Sequence, residues 1–169
     1  MEIVASHSPA ATQAIAAAVA ELAGPGDLVI LCGDLGAGKT AFTQGFGAAL
    51  GVTDRITSPT FTIHSVYEGR LTLNHLDVYR FDQIEEVADL GLFELLDGDT
   101  VTVIEWGDTI IAALPPDYLE ISIGFPAPDA PEAGDDARVL TFRFVGSKWS
   151  ARENGLVTAL SVAVEEVAC

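Results

Sequence analysis

Apolar residues in this chain fall into two patterns, continuous runs and runs at helical spacing, and the two alternate. "EIVAS" (2–6) predicts a short strand. Ser8 and Pro9 predict a helix start, with a hydroxyl cap and a fixed φ at the first helical position. That helix runs through "AATQAIAAAVAELA" (10–23) and stops at "GPG" (24–26). "DLVILCG" (27–33) is continuously apolar after its first residue, as a strand buried on both faces of a parallel sheet should be. "KTAFTQGFGAALG" (39–51) returns to helical spacing and ends at Gly51.

"VTDRITSPT" (52–60) carries loop chemistry. "FTIHSVY" (61–67) and "LTLNHLDVY" (71–79) predict two strands joined by "EGR" as a hairpin. "DQIEEVADLGLFELLD" (82–97) predicts a helix opened by an Asp82–Glu85 capping box. "TVTVIEW" (100–106) predicts another buried strand, and "LPPD" (114–117) interrupts the chain. "YLEISIGF" (118–125) and "RVLTFRFV" (138–145) predict two late strands around the loop "PAPDAPEAGDDA" (126–137). The segment 149–168 predicts one amphipathic helix. No internal repeat is present. The alternation of strands and helices predicts a single α/β domain over 1–169 with a sheet of mixed direction.

Chemistry concentrates in "LCGDLGAGKTAF" (31–42). Gly33, Gly38, Lys39 and Thr40 fit G-x-x-x-x-G-K-[ST], a loop that cradles phosphates. Glycines let the backbone approach a phosphate, and the following helix N-terminus adds positive potential. The lysine bridges the β- and γ-phosphates, and the threonine hydroxyl reaches Mg2+. Lys39 and Lys148 are the only lysines in the chain, so this one is unlikely to be incidental to the loop's chemistry. A magnesium site also wants an acid at the end of a neighbouring strand. Glu105 closes the apolar run "VTVIE", where an unpaired charge would be costly. Asp77 is the second candidate. Strand alternation puts His75, Asp77 and Tyr79 on one face, and a polar structural network is an equal alternative for them. Trp106 follows Glu105 and is a candidate to stack on a base, or simply core. His64 and His75 lack metal-ligand spacing and are read as structural or surface. An N-K-x-D guanine-reading motif is absent, which favours ATP.

The net charge is −17, from 25 acidic against 8 Lys and Arg residues. Such a surface repels a phosphate backbone and an anionic membrane, so direct nucleic-acid binding is not expected. The two cysteines, Cys32 and Cys169, suggest neither a disulfide framework nor a zinc site. The first residues lack a basic leader pattern, and the longest apolar helix is too short for a bilayer, so a cytoplasmic protein is expected.

The stretches "GDLGAGKT" (33–40), "SPTFT" (58–62), "HLDVYR" (75–80) and "VIEWGD" (103–108) together resemble the TsaE (YjeE) family. They occur in that family's order and span residues 8 to 120. The resemblance implies a P-loop NTPase-like three-layer α/β sandwich. It implies an ATPase required for threonylcarbamoyladenosine formation on tRNA, acting with the TsaB and TsaD proteins, which meet the tRNA. It implies a phosphate loop of Asp34, Leu35, Gly36, Ala37, Gly38, Lys39 and Thr40. Thr40 and Glu105 become Mg2+ ligands, and Asp77 a residue of hydrolysis. Ser58–Thr62 becomes a mobile loop. Ser8 and Pro9 lie at the nucleotide, and Trp106 is an aromatic beside the site. The family's arginine-rich turn reads "PEAGDD" (131–136) here, with only Arg138 nearby, so either Arg138 takes its nucleotide contact or the contact is lost. A small-molecule kinase would need several arginines around its substrates. Of the six here (Arg55, Arg70, Arg80, Arg138, Arg143 and Arg152), only Arg80 lies in a motif near the loop. A non-hydrolysing scaffold is the third alternative.

Overall fold

The computed structural model describes residues 1–79, 92–95, 98–127 and 134–168. Strand β1 (Glu2–Ser6) leads into helix α1 (Pro9–Leu22), strand β2 (Asp27–Cys32) and helix α2 (Lys39–Ala49). Strands β3 (His64–Tyr67) and β4 (Thr72–Asp77) follow, then a short helix α3 (Leu92–Leu95) and strand β5 (Thr100–Glu105). A 3-10 segment (Gly107–Ala113), strands β6 (Tyr118–Gly124) and β7 (Arg138–Val145), and helices α4 (Ser147–Ser150) and α5 (Glu153–Ala168) complete the described chain.

The strands form one sheet in the order β1-β7-β6-β2-β5-β4-β3. Its centre is parallel: β2 pairs with β5 and β6, and β5 with β4. Both flanks are antiparallel, through β1–β7, β6–β7 and β3–β4. Every residue of β2 is buried. Its alternation feeds two cores. Val29 and Leu31 pack with Ile15, Phe42, Phe46 and Leu156 from the three long helices. Leu28, Ile30 and Cys32 pack with Leu76, Ile110 and Tyr118 on the opposite face. The result is a sheet covered on both sides, the layered α/β architecture that the alternation predicted. Phe42 and Phe46 have no exposed surface, and burying each stabilises the fold by about 2–3 kcal/mol.

Three polar devices fix the helices that carry the loop. Ser8 Oγ accepts from the Ala11 N–H at 3.1 Å, capping α1 as the sequence predicts. At the other end of α1, Arg70 donates to the carbonyls of Ala20 and Ala23, placing a cation at the negative helix end. Arg152 reaches the buried Asp27 carboxylate with both terminal nitrogens, at 2.5 and 2.8 Å, and also the Leu22 carbonyl at 2.7 Å. Helices α1 and α2 meet at Gly45, where an added Cβ would lie 2.4 Å from the Gln13 carbonyl oxygen.

Several boundaries differ from the sequence reading. The first hairpin strand starts at His64, not at residue 61. The Thr62 and Ile63 N–H groups turn back onto the Pro59 carbonyl, and Ile63 adopts a φ of 68°. The amphipathic C-terminal segment is two helices, because Ser147–Ser150 makes its own turn, seated on Asp117. The 3-10 segment after Trp106 was not anticipated. The capping box Asp82–Glu85, most of the predicted helix 82–97, Arg80 and Cys169 lie outside the described residues. Among the described residues, no helix is long and apolar enough to cross a membrane.

Candidate functional site

The parallel strands β2, β5 and β4 end at one edge of the sheet, the position where open α/β sheets bind ligands. The loop 33–38 leaves β2 there and enters α2. Gly33 holds a φ of 136°, and a Cβ on it would meet the Ile123 carbonyl oxygen at 2.2 Å, so the loop's first turn needs glycine. Gly38 caps α2 at a φ of 112°, in the left-handed region. The first turn of this 11-residue helix carries no acid. Its N–H groups lack partners within the helix and favour an anion.

Lys39 is 5% exposed, an unusual place for a lysine. Its Nζ donates to the carbonyls of Gly33 at 2.7 Å and Asp34 at 2.9 Å. It also lies 3.6 Å from the centre of the Trp106 ring. Burial lowers its pKa, against the raising effect of Glu105, Asp77, Asp108 and Asp34. The ammonium is thus already stripped of much of its water and held by weak neutral acceptors. A phosphate oxygen is a better partner than a carbonyl for that cation.

Thr40 Oγ1 donates to Glu105 Oε1 at 3.0 Å, with Oε2 at 3.3 Å. This contact joins residues 65 positions apart in the chain. His75 Nε2 lies 2.9 Å from the same Oε1. A hydroxyl and a carboxylate, both hard oxygen donors, therefore stand side by side at the foot of the loop. This donor set suits Mg2+, which takes few protein oxygens and retains waters and phosphate oxygens. No group of three or more His, Cys, Asp or Glu side chains forms a metal cage among the described residues, so any cation here would depend on the nucleotide as well.

Asp77 is the register partner of Glu105 across β4 and β5. Its Oδ2 accepts from the hydroxyls of Ser58 at 3.0 Å and Thr60 at 2.8 Å, and its Oδ1 from the Tyr79 N–H at 3.0 Å. Asp77 is thus held in a polar network, but one made with Ser58 and Thr60 and not with His75, which bonds Glu105 instead; it ties the 58–60 loop to the floor of the site. Phe61, next in that loop, is 86% exposed.

One cavity of about 420 Å³ brings together Leu35, Gly36, Gly38, Lys39, Thr40, Asp77, Glu105 and Trp106 from the residues expected at the site. Ser58, Thr60 and Tyr79 complete much of its wall. Trp106 is held in the left-handed region at φ 64°, its N–H bonded to the Leu31 carbonyl. Its ring covers Lys39 and packs on Tyr79 at 4.9 Å. It thus stands at the lysine end of the loop.

A smaller cleft opens on the other side of the loop, lined by Pro9, Thr12, Ala37, Gly38, Asp136 and Arg138. Arg138 donates to the Ala37 carbonyl at 3.0 Å and to the Gly36 carbonyl at 3.4 Å. It is thus attached to the loop. Ser8 does not line this cleft, because its hydroxyl is committed to the α1 cap. Thr12, one turn further on, is there instead. Asp34 contributes its backbone carbonyl to Lys39. Arg70, Arg143 and Arg152 are engaged with helix carbonyls, Glu120 and Asp27, away from the cavity. Sequence reasoning missed His75 as a site residue, although the alternation that grouped it with Asp77 contained the signal.

The family model for the threonylcarbamoyl adenosine biosynthesis protein TsaE matches residues 6–128. A tRNA threonylcarbamoyladenosine biosynthesis protein TsaE of Bacillus subtilis is 46% identical over 143 residues, covering 84% of this chain and 85% of that protein. The protein of the same description from Streptomyces coelicolor is 38% identical over 139 residues, 80% of this chain and 91% of the other. The crystal structure of Bacillus subtilis YdiB superimposes with a TM-score of 0.77 at 39% identity, covering 93% of this chain and 94% of that one.

Proposed function

The chain belongs to the TsaE family of threonylcarbamoyl adenosine biosynthesis proteins, and on that premise we propose that it is a Mg2+-dependent ATPase serving threonylcarbamoyladenosine modification of tRNA together with TsaB and TsaD. The observation that carries the ATPase reading is the 3.0 Å contact between Thr40 and Glu105, which closes a magnesium-type pair directly behind a phosphate-loop lysine. Magnesium bound with the nucleotide would neutralise charge on the β- and γ-phosphate oxygens.

The side chains divide the remaining work. Lys39 exchanges its two carbonyl partners for phosphate oxygens, and the α2 N-terminus binds the same anion. Thr40 and Glu105 hold the cation side. Asp77 orients the attacking water, which requires it to release the Ser58 or Thr60 hydroxyl that now occupies Oδ2. Pro9, Thr12 and Arg138 flank the loop on the side left for the nucleoside. Lys39 and Arg138 are the cations that touch the loop among the described residues. That supply is small for a phosphoryl-transfer transition state, so hydrolysis by the chain alone is slow and the TsaB–TsaD complex completes the site.

The charge of −17 favours contact with tRNA through those partners, not directly. A cytoplasmic setting fits Cys32, whose thiol is buried and pushed up to about 12, chiefly by burial. The test is calorimetric titration of ATP and ADP into the purified chain, with and without Mg2+. Binding that Mg2+ strengthens and Lys39→Ala abolishes is expected. Equal binding by the Lys39→Ala chain would refute the site.

A further inference from the structure

His75 is wholly buried, and among the described residues its ring makes one hydrogen bond, between Nε2 and Glu105 Oε1 at 2.9 Å. Its other ring nitrogen, Nδ1, has no partner among the described residues. A carboxylate only accepts, so Nε2 carries a proton toward it, and Nδ1 is the ring nitrogen left without a contact. A buried, unpaired polar atom is costly, and an aliphatic side chain would fill the same volume without that cost. The ring's polar chemistry is thus directed at one atom. That atom, Glu105 Oε1, is also the nearer acceptor of the Thr40 hydroxyl.

We propose that His75 is a positioning residue, whose Nε2–H holds Glu105 Oε1 from the sheet side while Thr40 meets it from the loop side. The carboxylate is thereby locked in one rotamer toward the cation position, leaving Oε2 with only the longer 3.3 Å contact to Thr40. A second effect follows from the register. Asp77 and Glu105 lie opposite each other on neighbouring strands, and two adjacent carboxylates repel. His75, two residues before Asp77 on the same strand, donates to Glu105 Oε1 while Asp77 is engaged by Ser58 and Thr60, so each carboxylate is held by its own donors. The arrangement is the carboxylate counterpart of the outer contacts that orient metal ligands, whose loss costs about 10–100-fold in metal affinity.

The inference rests on the Mg2+–ATP reading, and its test separates the two. Mn2+ binding to the full chain saturated with ATP is followed by water-proton relaxation enhancement, which separates protein-bound ion from ion held by free ATP. Metal-free ADP binding is measured alongside. In His75→Leu, Mn2+ affinity should fall about 10-fold or more while metal-free ADP affinity stays at the natural value. His75→Gln, which restores an N–H at the Nε2 position, should recover most of the loss. Natural Mn2+ affinity in His75→Leu, or no recovery in His75→Gln, overturns the positioning role. So does an equal fall in ADP affinity, which is the mark of a merely structural residue. Failure of the natural chain to bind Mn2+ with ATP sinks the nucleotide reading itself. Should His75→Leu not fold, the nitrogen-15 spectrum of the natural chain decides: a proton on Nε2 supports the proposal and a bare Nε2 overturns it.

Discussion

Asp77 and Glu105 are paired across adjacent strands, yet among the described residues their carboxylates share no hydrogen-bond partner. Glu105 accepts from Thr40 and His75, in the direction of the phosphate loop and the sheet interior. Asp77 accepts from Ser58, Thr60 and the Tyr79 backbone, in the direction of the 58–60 loop. Two carboxylates one strand apart are therefore divided between two tasks by what donates to them. In the proposed ATPase, Glu105 serves the cation, and Asp77 serves the loop and the water that replaces its hydroxyl contacts.

The division makes Asp77→Ala a selective lesion. Nucleotide affinity should persist, because Lys39, Thr40 and Glu105 are untouched. Turnover should fall about 100-fold or more, the usual worth of a positioned general base. Binding and single-turnover rates measured on the same preparation check this. Loss of ATP affinity would assign Asp77 to ground-state binding instead.

Arg138 should act on affinity, not on chemistry. It holds the Gly36 and Ala37 carbonyls and lines the cleft with Pro9. Arg138→Ala should weaken ATP binding by about fivefold, equivalent to one hydrogen bond of roughly 1 kcal/mol, with kcat unchanged. Titration calorimetry paired with steady-state kinetics reads both.

Arg152 makes the opposite prediction. Its fork to the buried Asp27 ties α5 to the start of β2, far from the cavity. Arg152→Met leaves a buried carboxylate unpaired and should cost about 3 kcal/mol. That corresponds to a Tm lower by roughly 6–12 °C. ATP affinity of the folded variant should not change.

Lys39 gives a pH signature. Burial lowers its pKa in the free protein, so the folded chain loses this proton at a lower pH than the unfolded chain does. Between the lowered folded value and the ordinary lysine value of about 10.4, the unfolded state binds more protons. The contribution of Lys39 to stability therefore rises with pH in that window. Phosphate binding needs the charged form, so ATP affinity falls over the same window. Opposite pH slopes of Tm and affinity on the alkaline side, absent from Lys39→Met, are expected. Parallel slopes would show that the lysine is not the titrating group.

Much of this was legible in the chain because buried parallel strands and phosphate loops leave strong local signatures. The run 27–33 followed by glycines and Lys39 could hardly fold another way, and "VTVIE" announced a buried strand ending on an acid. The Ser8–Pro9 start was equally plain, since both residues act within their own turn. What stayed hidden depends on which strands become neighbours. The His75–Glu105 bond exists because β4 and β5 are adjacent and in register, which spacing along the chain does not encode. The Ile63 turn was hidden too, because Thr62 and Ile63 look like strand residues. The bonds from Ser58 and Thr60 to Asp77 hold the preceding segment across the site instead. Trp106 was legible as a site residue but not in its role, since only the fold places its ring over Lys39.

The measurement that bears most directly on the central proposal is ATP hydrolysis by the purified chain, alone and with TsaB and TsaD, using Lys39→Ala as the blank. Slow turnover alone, raised strongly by the two partners and lost in the variant, is the predicted result. Fast hydrolysis by the chain alone, indifferent to the partners, would contradict it.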